Sequence, residues 1–215
     1  MFEHIFTLTG LLLLAAGYLL GSVSTAIIVC RLMGLDDPRT VGSNNPGATN
    51  VLRHGGKKAA AITLFGDMLK GLLAVLLARA IAVAEFELAL AGLGAFLGHL
   101  YPLYFRFQGG KGVATFFGVL LALNWLAGTG ALLCWLLFAR VFKISSLAAL
   151  ITAMAVPILL FYFDSSRNVV LLSIFMSTLL IWRHRSNIRK LLAGTEDAIA
   201  NREGVEAKHR RQQND

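Results

Sequence analysis

The sequence predicts an all-α integral membrane protein of about seven transmembrane helices, some short or broken, with the N-terminus outside and the C-terminus cytoplasmic. Three observations predict it. The first is composition: 56% of the 215 residues are hydrophobic and only 15% are charged, where a soluble domain carries about 25% charge. The second is a series of apolar runs near the roughly 20 residues needed to cross a bilayer. The third is the concentration of Lys and Arg in the joins between those runs.

The run at 6–30 comes first. Glu3 and His4 precede it rather than a basic region, and it is too long for the core of a signal peptide, so it reads as a retained span. Runs at 59–82 and 86–105 follow. The next two, 112–127 and 129–142, are separated by Ala127-Gly128-Thr129-Gly130 and read as two short helices or as one pair that does not fully cross. Runs at 145–163 and 168–182 complete the set; five or six spans result if some are re-entrant. Residues 1–190 read as a single membrane-embedded domain. Residues 191–215 read as a basic, polar cytoplasmic tail, too short and too polar to fold alone.

Orientation follows from the positive-inside rule. With the C-terminus in the cytoplasm, only Arg79 and Arg167 fall outside and Lys70 lies within a span, leaving 17 of the 20 basic residues inside. The net charge of +8 is then mostly a consequence of topology. No basic-aromatic surface module is present, so nucleic acid is not an expected partner. Cys30 and Cys134 sit in or beside apolar runs and read as small packing residues. His/Cys spacing of the metal-binding kind is absent, so no metal is expected. Gly17-x3-Gly21 and Gly94-x3-Gly98 suit close helix packing.

Polar residues with chemical potential gather at the inner ends of the runs. The stretch 42–53, GSNNPGATNVLR, combines Ser43, Asn45, Gly47, Thr49 and Asn50 with a turn-setting Pro46 and with Arg53. Its glycines allow close backbone approach, its amides form an anion-binding concavity, and a guanidinium grips phosphate with two hydrogen bonds. It reads equally as a capped loop before an interfacial helix. Gly109-Gly110-Lys111-Gly112 precedes a helix, where free N–H groups and the dipole favour an anion and Lys111 adds a full charge. It is not a Walker A motif, since Val113 occupies the place of the magnesium-binding Ser or Thr. Ser145-Ser146 opens another helix, where an N-cap is a sufficient explanation. Arg183-His184-Arg185-Ser186-Asn187 ends the last run, with His184 and Asn187 on one helix face. Asp67 and Lys70, three apart inside a run, either neutralise each other or line a polar cavity.

In order along the chain, GSNNPGATNVLR, DMLKG, GHLYPLYFRFQGGKGVATFFG, SSL and RHRSNI resemble the motifs of the bacterial acyl-phosphate:glycerol-3-phosphate acyltransferases, from about Gly21 to Glu196. The resemblance implies a multi-pass enzyme of the bacterial inner membrane that works on the cytoplasmic face. It would move a fatty acyl group from acyl phosphate to the 1-hydroxyl of sn-glycerol 3-phosphate, giving lysophosphatidate and phosphate, the first acylation of phospholipid synthesis. It implies no cofactor, no acyl-CoA donor, and a functional partner in the enzyme that supplies acyl phosphate. The His-x4-Asp motif of the larger acyltransferases is absent: His54, His99 and His184 have Ala59, Tyr104 and Arg189 at that spacing.

That reaction brings two phosphates together. Lys111, His184, Asn187 and Ser146 are the expected catalytic residues. Ser43, Asn45, Gly47, Thr49, Asn50, Arg53, Lys70, Gly109, Gly110, Gly112, Ser145 and Arg183 are the expected binding residues. Direct attack of the glycerol hydroxyl on the acyl carbonyl is expected, with the proton passing to His184 or to a substrate phosphate. A ping-pong route through Ser43 or Ser146 is the alternative. Rival functions are an anion transporter, an alcohol phosphotransferase and a non-catalytic scaffold. The first would place polar groups at the midplane, the second needs several aspartates, and the third leaves the glycine-rich loops unexplained.

Overall fold

The computed structural model describes residues 7–81 and 84–199, and among them the regular structure is entirely helical. Its elements are α1 (Leu8–Gly21), α2 (Thr25–Leu32), α3 (Ala48–Arg79), α4 (Glu85–Leu100), a 3-10 turn (Leu103–Phe105), α5 (Val113–Leu123), α6 (Trp125–Phe142), α7 (Ser145–Tyr162), α8 (Arg167–Arg183) and α9 (Arg185–Leu192). Five segments are long and apolar enough to cross a membrane: Leu8–Leu32, Ala48–Arg79, Glu85–Phe105, Trp125–Phe142 and Ser145–Tyr162. The apolar α5 is shorter, and α8 has 17 residues. These are the seven expected runs, with their breaks in different places.

The first run is broken. Ser22 donates its hydroxyl back to the Tyr18 carbonyl at 2.7 Å, and the helix stops until Thr25. The break frees the Val23 carbonyl, which accepts from Lys70 Nζ at 2.8 Å. The second run starts earlier than its apolar stretch, at Ala48, because Gly56 (φ +81°) takes a left-handed conformation and kinks α3. Residues 48–55 thereby form a short helix before the kink, and 57–79 form a span of about 35 Å. The fourth and fifth runs part at Asn124, not at 127–130. Asn124 caps α6 through its Oδ1 and the Ala127 N–H, while its Nδ2 donates to the Phe163 carbonyl and to Ser165 Oγ. Gly128 stays helical because its missing Cβ lets the Leu120–Leu121 backbone come close.

The tightest packing joins α1 to α4. A Cβ at Gly17 would lie 2.2 Å from the Ala91 carbonyl, at Gly21 2.1 Å from that of Ala95, at Gly94 2.1 Å from that of Leu14, and at Gly98 2.2 Å from that of Tyr18. The two glycine pairs interlock, backbone against backbone, where lipid offers no hydrophobic drive to hold helices together. Gly71 and Gly118 bring α3 and α5 together in the same way, against the carbonyls of Thr115 and Met68. Phe96 and Phe116, with ring centroids 5.9 Å apart, fill the centre between α4 and α5. Cys30 is buried, and Cys134 accepts from the Thr152 hydroxyl at 3.6 Å; both are free thiols.

The expected boundary at 190 falls inside α9. Beyond it, residues 193–199 fold back over the end of the helices that carries the start of α7, where the Ile199 N–H donates to the Lys143 carbonyl at 2.8 Å. The rest of the expected tail, 200–215, lies outside the described residues.

Gly98→Leu is expected to destabilise the protein by about 1–3 kcal/mol or more, since the clash is with backbone and no rotamer relieves it. Gly130→Ala meets only the Leu159 side chain, at 3.5 Å or more. It should be neutral or stabilising by up to about 1 kcal/mol. Thermal unfolding in one detergent checks both; equal effects would contradict the α1–α4 packing.

Candidate active site

The site begins with the chain that leads into α5. After α4 and its 3-10 turn, Arg106 and Phe107 adopt positive φ (56° and 59°), which reverses the chain. It then returns across the end of α4, where the Gly110 N–H donates to the His99 carbonyl at 3.1 Å. Gly109, Gly110 and Gly112 are required here by close approach. A Cβ would stand 2.1 Å from the His99 carbonyl at Gly109, 2.2 Å from His99 Nε2 at Gly110, and 2.4 Å from the Phe96 ring at Gly112 (φ +88°). α5 starts at Val113, so its first N–H groups point out of this loop without helical partners.

Arg183, the last residue of α8, holds the loop from the other side. Its Nη2 donates to the carbonyls of Gly109 at 2.8 Å and Gly110 at 2.9 Å, and its Nε to that of Gly110 at 3.2 Å. Its guanidinium carbon lies 5.3 Å from the centroid of the Tyr101 ring. Arg183 is an expected binding residue; in this structure its Nε and Nη2 donate to the loop's carbonyls.

Lys111 reaches across to α9, donating to Asn187 Oδ1 at 2.6 Å. Asn187 Nδ2 then donates to Glu196 Oε1 at 2.6 Å, and the same oxygen accepts from Ser146 Oγ at 2.7 Å. Three of the four expected catalytic residues thus form one connected cluster. The fourth, His184, is buried one turn before Asn187. Its Nδ1 lies 2.8 Å from the Leu180 carbonyl, which assigns the proton to Nδ1 and leaves Nε2 as an acceptor.

The electrostatics are those of an anion seat. Burial pushes the Lys111 ammonium down to about 8; Glu196 opposes this, while Arg183, Lys190 and Arg53 push the same way as burial. Burial also takes His184 down to about 4, against the Leu180 hydrogen bond and helped by Lys111 and Arg183, so the ring is neutral at pH 7. Among the described residues no group of three or more His, Cys, Asp or Glu side chains is arranged to hold a metal.

The opening loop supplies the opposite wall. Thr49 Oγ1 and Ser145 Oγ share a hydrogen bond of 3.0 Å that ties α3 to α7. Arg53 donates to the carbonyls of Asp197 and Ala198, at 3.1 and 2.9 Å. Asn50 is buried and holds the loop itself, donating to the carbonyls of Pro38 and Val41 and accepting from the Ser43 N–H. Gly47 begins α3, with the Asn45 amide folded against it. The Ser43 side chain is exposed. Lys70 lies apart from the cluster, only 5% exposed, paired with Asp67 at 2.9 Å.

Sequence reasoning missed Glu196. Its neighbours put it in a basic tail, yet it and Asp197 are an acidic pair within that tail, and this was the available signal.

Fold and site together define a polytopic helical membrane protein with a glycine-rich loop and a cluster of cationic side chains at one end. A family model described as glycerol-3-phosphate acyltransferase matches residues 11–194. Curated relatives called glycerol-3-phosphate acyltransferase include one from Burkholderia pseudomallei, 56% identical over 192 residues (88% of this chain, 95% of the relative). Another, from Thioalkalivibrio sulfidiphilus, is 52% identical over 190 residues (88% of this chain, 94% of the relative). The crystal structure of PlsY (YgiH), an integral membrane glycerol 3-phosphate acyltransferase, in its glycerol 3-phosphate form, superposes with a TM-score of 0.84. It is 38% identical and covers 91% of this chain and 98% of that one. Its lysophosphatidic acid form gives 0.80, at 37% identity, 88% of this chain and 94% of that one. The chain belongs to the glycerol-3-phosphate acyltransferase family.

Binding of inorganic phosphate, followed by phosphorus NMR, should weaken as pH rises through about 8, because the Lys111 ammonium is intact below that value and lost above it. In Lys111→Arg the affinity should stay level over the same range, since the guanidinium keeps its charge. An identical pH dependence in both proteins would contradict the assignment.

Proposed function

We propose that this chain transfers a fatty acyl group from acyl phosphate to the 1-hydroxyl of sn-glycerol 3-phosphate, releasing lysophosphatidate and inorganic phosphate. One observation carries the reading: Lys111 sits on a glycine-rich loop at a helix N-terminus and hydrogen-bonds Asn187, within a ring of further cations. Membership of the family supports the acceptor and the class of reaction. The donor follows from the resemblance of the motifs to those of the acyl-phosphate-dependent acyltransferases, and the site's cations and amides are compatible with two phosphates. Two like charges 4 Å apart cost about 4 kcal/mol at an effective dielectric of 20, so the clamps must precede the chemistry.

Acyl phosphate is a mixed anhydride and arrives activated. The glycerol hydroxyl oxygen bonds to the acyl carbon, and the bond from that carbon to the phosphate oxygen breaks. Lys111 and the first N–H groups of α5 receive the charge that develops on the leaving phosphate. Thr49, Ser145 and Ser146 supply neutral hydroxyls to orient the glycerol, and Glu196 holds Ser146 and Asn187 in place. His184 Nε2 accepts a hydrogen bond from the attacking hydroxyl. With the ring held near 4, it is a weaker base than a phosphate monoester dianion, whose acid has a pKa of about 6. The proton therefore goes to a phosphate oxygen of the substrate. Among the described residues no serine hydroxyl is hydrogen-bonded to a histidine ring, which favours direct transfer over an acyl-serine.

The site belongs, on this reading, to the cytoplasmic face of the bacterial inner membrane. Lys57, Lys58, Arg106, Lys111, Arg140, Lys143, Arg185, Arg189 and Lys190 lie toward its end of the helices, while Arg79 and Arg167 lie toward the other. Residues 1–190 then constitute the membrane-embedded catalytic domain, completed by the returning segment 193–199.

Purified protein given acyl phosphate and glycerol 3-phosphate should release phosphate and lysophosphatidate in equal amounts, and should yield no product from acyl-CoA. Product from acyl-CoA alone would overturn the donor. Labelled phosphate should not exchange into acyl phosphate without acceptor; exchange would establish a covalent intermediate. His184→Gln should keep turnover at saturating substrate within about a hundredfold of the parent. A loss beyond about 10,000-fold would make His184 the obligatory base.

A further inference from the structure

Three ionisable side chains are buried behind the glycine-rich loop: Asp67 is 2% exposed, Lys70 5% and His99 6%. Burying charge this deeply in a membrane protein is expensive, and well-packed apolar residues would serve stability as well. The trio connects the α1–α2 break to the anion loop. Lys70 Nζ donates to the Val23 carbonyl at 2.8 Å and lies 2.9 Å from Asp67 Oδ1. The same carboxylate oxygen is 3.6 Å from His99 Nδ1. His99 then touches the loop twice. Its carbonyl accepts the Gly110 N–H, and its ring presses on Gly110, where a Cβ would lie 2.2 Å from Nε2 and 3.1 Å from the Pro46 carbonyl. The imidazole is therefore the surface on which Gly110 rests, at the point where the loop meets the opening loop.

We propose that His99 is a positioning residue of the glycine-rich loop, and that Asp67, balanced by Lys70, fixes its ring orientation and tautomer. The carboxylate faces Nδ1 at 3.6 Å, beyond hydrogen-bond distance, so its charge rather than a hydrogen bond favours the proton on Nδ1 and leaves Nε2 as the acceptor on the loop side. A rotated ring would put carbon against Gly110 and release the loop from its seat. Arg183 grips the loop's carbonyls from the site side, so the loop is fixed between a cation and an imidazole. A displacement of about 1 Å at such a seat slows a reaction by about a hundredfold. Lys70 acts on substrate only through Asp67, His99 and the loop.

This inference rests on the acyl-transfer reading, so both are tested in one assay. His99→Phe keeps an aromatic ring, one atom larger, and removes both nitrogens. It should raise the KM for glycerol 3-phosphate by about tenfold or more, change kcat less, and melt within a few degrees of the parent. A variant whose KM stays within twofold of an active parent would overturn the positioning role alone; an inactive parent would overturn the acyl-transfer reading. If the variant fails to fold, nitrogen NMR of the histidine-labelled parent decides. His99 should be the Nδ1–H tautomer, with an Nε2 resonance that moves on titration with inorganic phosphate. An Nε2–H tautomer, or a resonance that phosphate leaves unmoved, would refute it.

Discussion

The grip of Arg183 on the carbonyls of Gly109 and Gly110 is the constraint on which the site depends. A glycine-rich segment has the largest backbone entropy to lose, and nothing in its own side chains holds it. With the carbonyls turned to the guanidinium, the chain enters α5 with its unpaired N–H groups and Lys111 facing the same way. The helices are arranged around this requirement. α8 ends where Arg183 can reach the loop, and α4 ends where His99 can lie beneath it. Interlocked glycines bring α1 against α4, and the break after α1 leaves a carbonyl for Lys70.

The membrane explains the site's position at the helix ends. Backbone that is neither helical nor buried is excluded from hydrocarbon, so a glycine-rich loop of this kind belongs at a membrane surface or in a polar cavity. α5 has 11 residues, about 16 Å of helix, and its N-terminus carries the loop. A donor with a phosphate head and a hydrocarbon tail suits such a boundary. In the proposed reaction the head meets Lys111, and the tail has apolar helices on its way to the bilayer.

The helical membrane fold was legible because apolar length is read directly from residues, and a membrane leaves the backbone few alternatives. Breaks were less legible. Asn124 looks like any polar residue until its two amide contacts to Phe163 and Ser165 are seen, whereas the glycines at 128 and 130 look like a hinge and turn out to lie within α6, Gly128 in close packing and Gly130 with room to spare. At the site, Lys111, Asn187 and Ser146 were identified from local motifs, and the structure brings them into contact. Glu196 was missed because its partners are distant in sequence or lie across a turn; the acidic pair it forms with Asp197 in a basic tail carries little local signal. Lys70 and Asn50 stand out in the sequence as polar residues in an apolar or turn-rich setting, and their partners do not. Their contacts are with Asp67 and with the opening loop's own backbone. Residue type marks chemical capacity, and only packing shows where that capacity is directed.

The account's central claim is that the Gly109–Gly112 loop, held by Arg183, is the seat of a substrate phosphate. A structure of this protein with glycerol 3-phosphate bound tests it most directly. The account requires a phosphate within hydrogen-bond distance of Lys111 Nζ and of the first N–H groups of α5, with the Arg183 contacts to Gly109 and Gly110 intact. A phosphate seated away from the loop, or one that draws Arg183 off those carbonyls to bind it directly, would contradict the account.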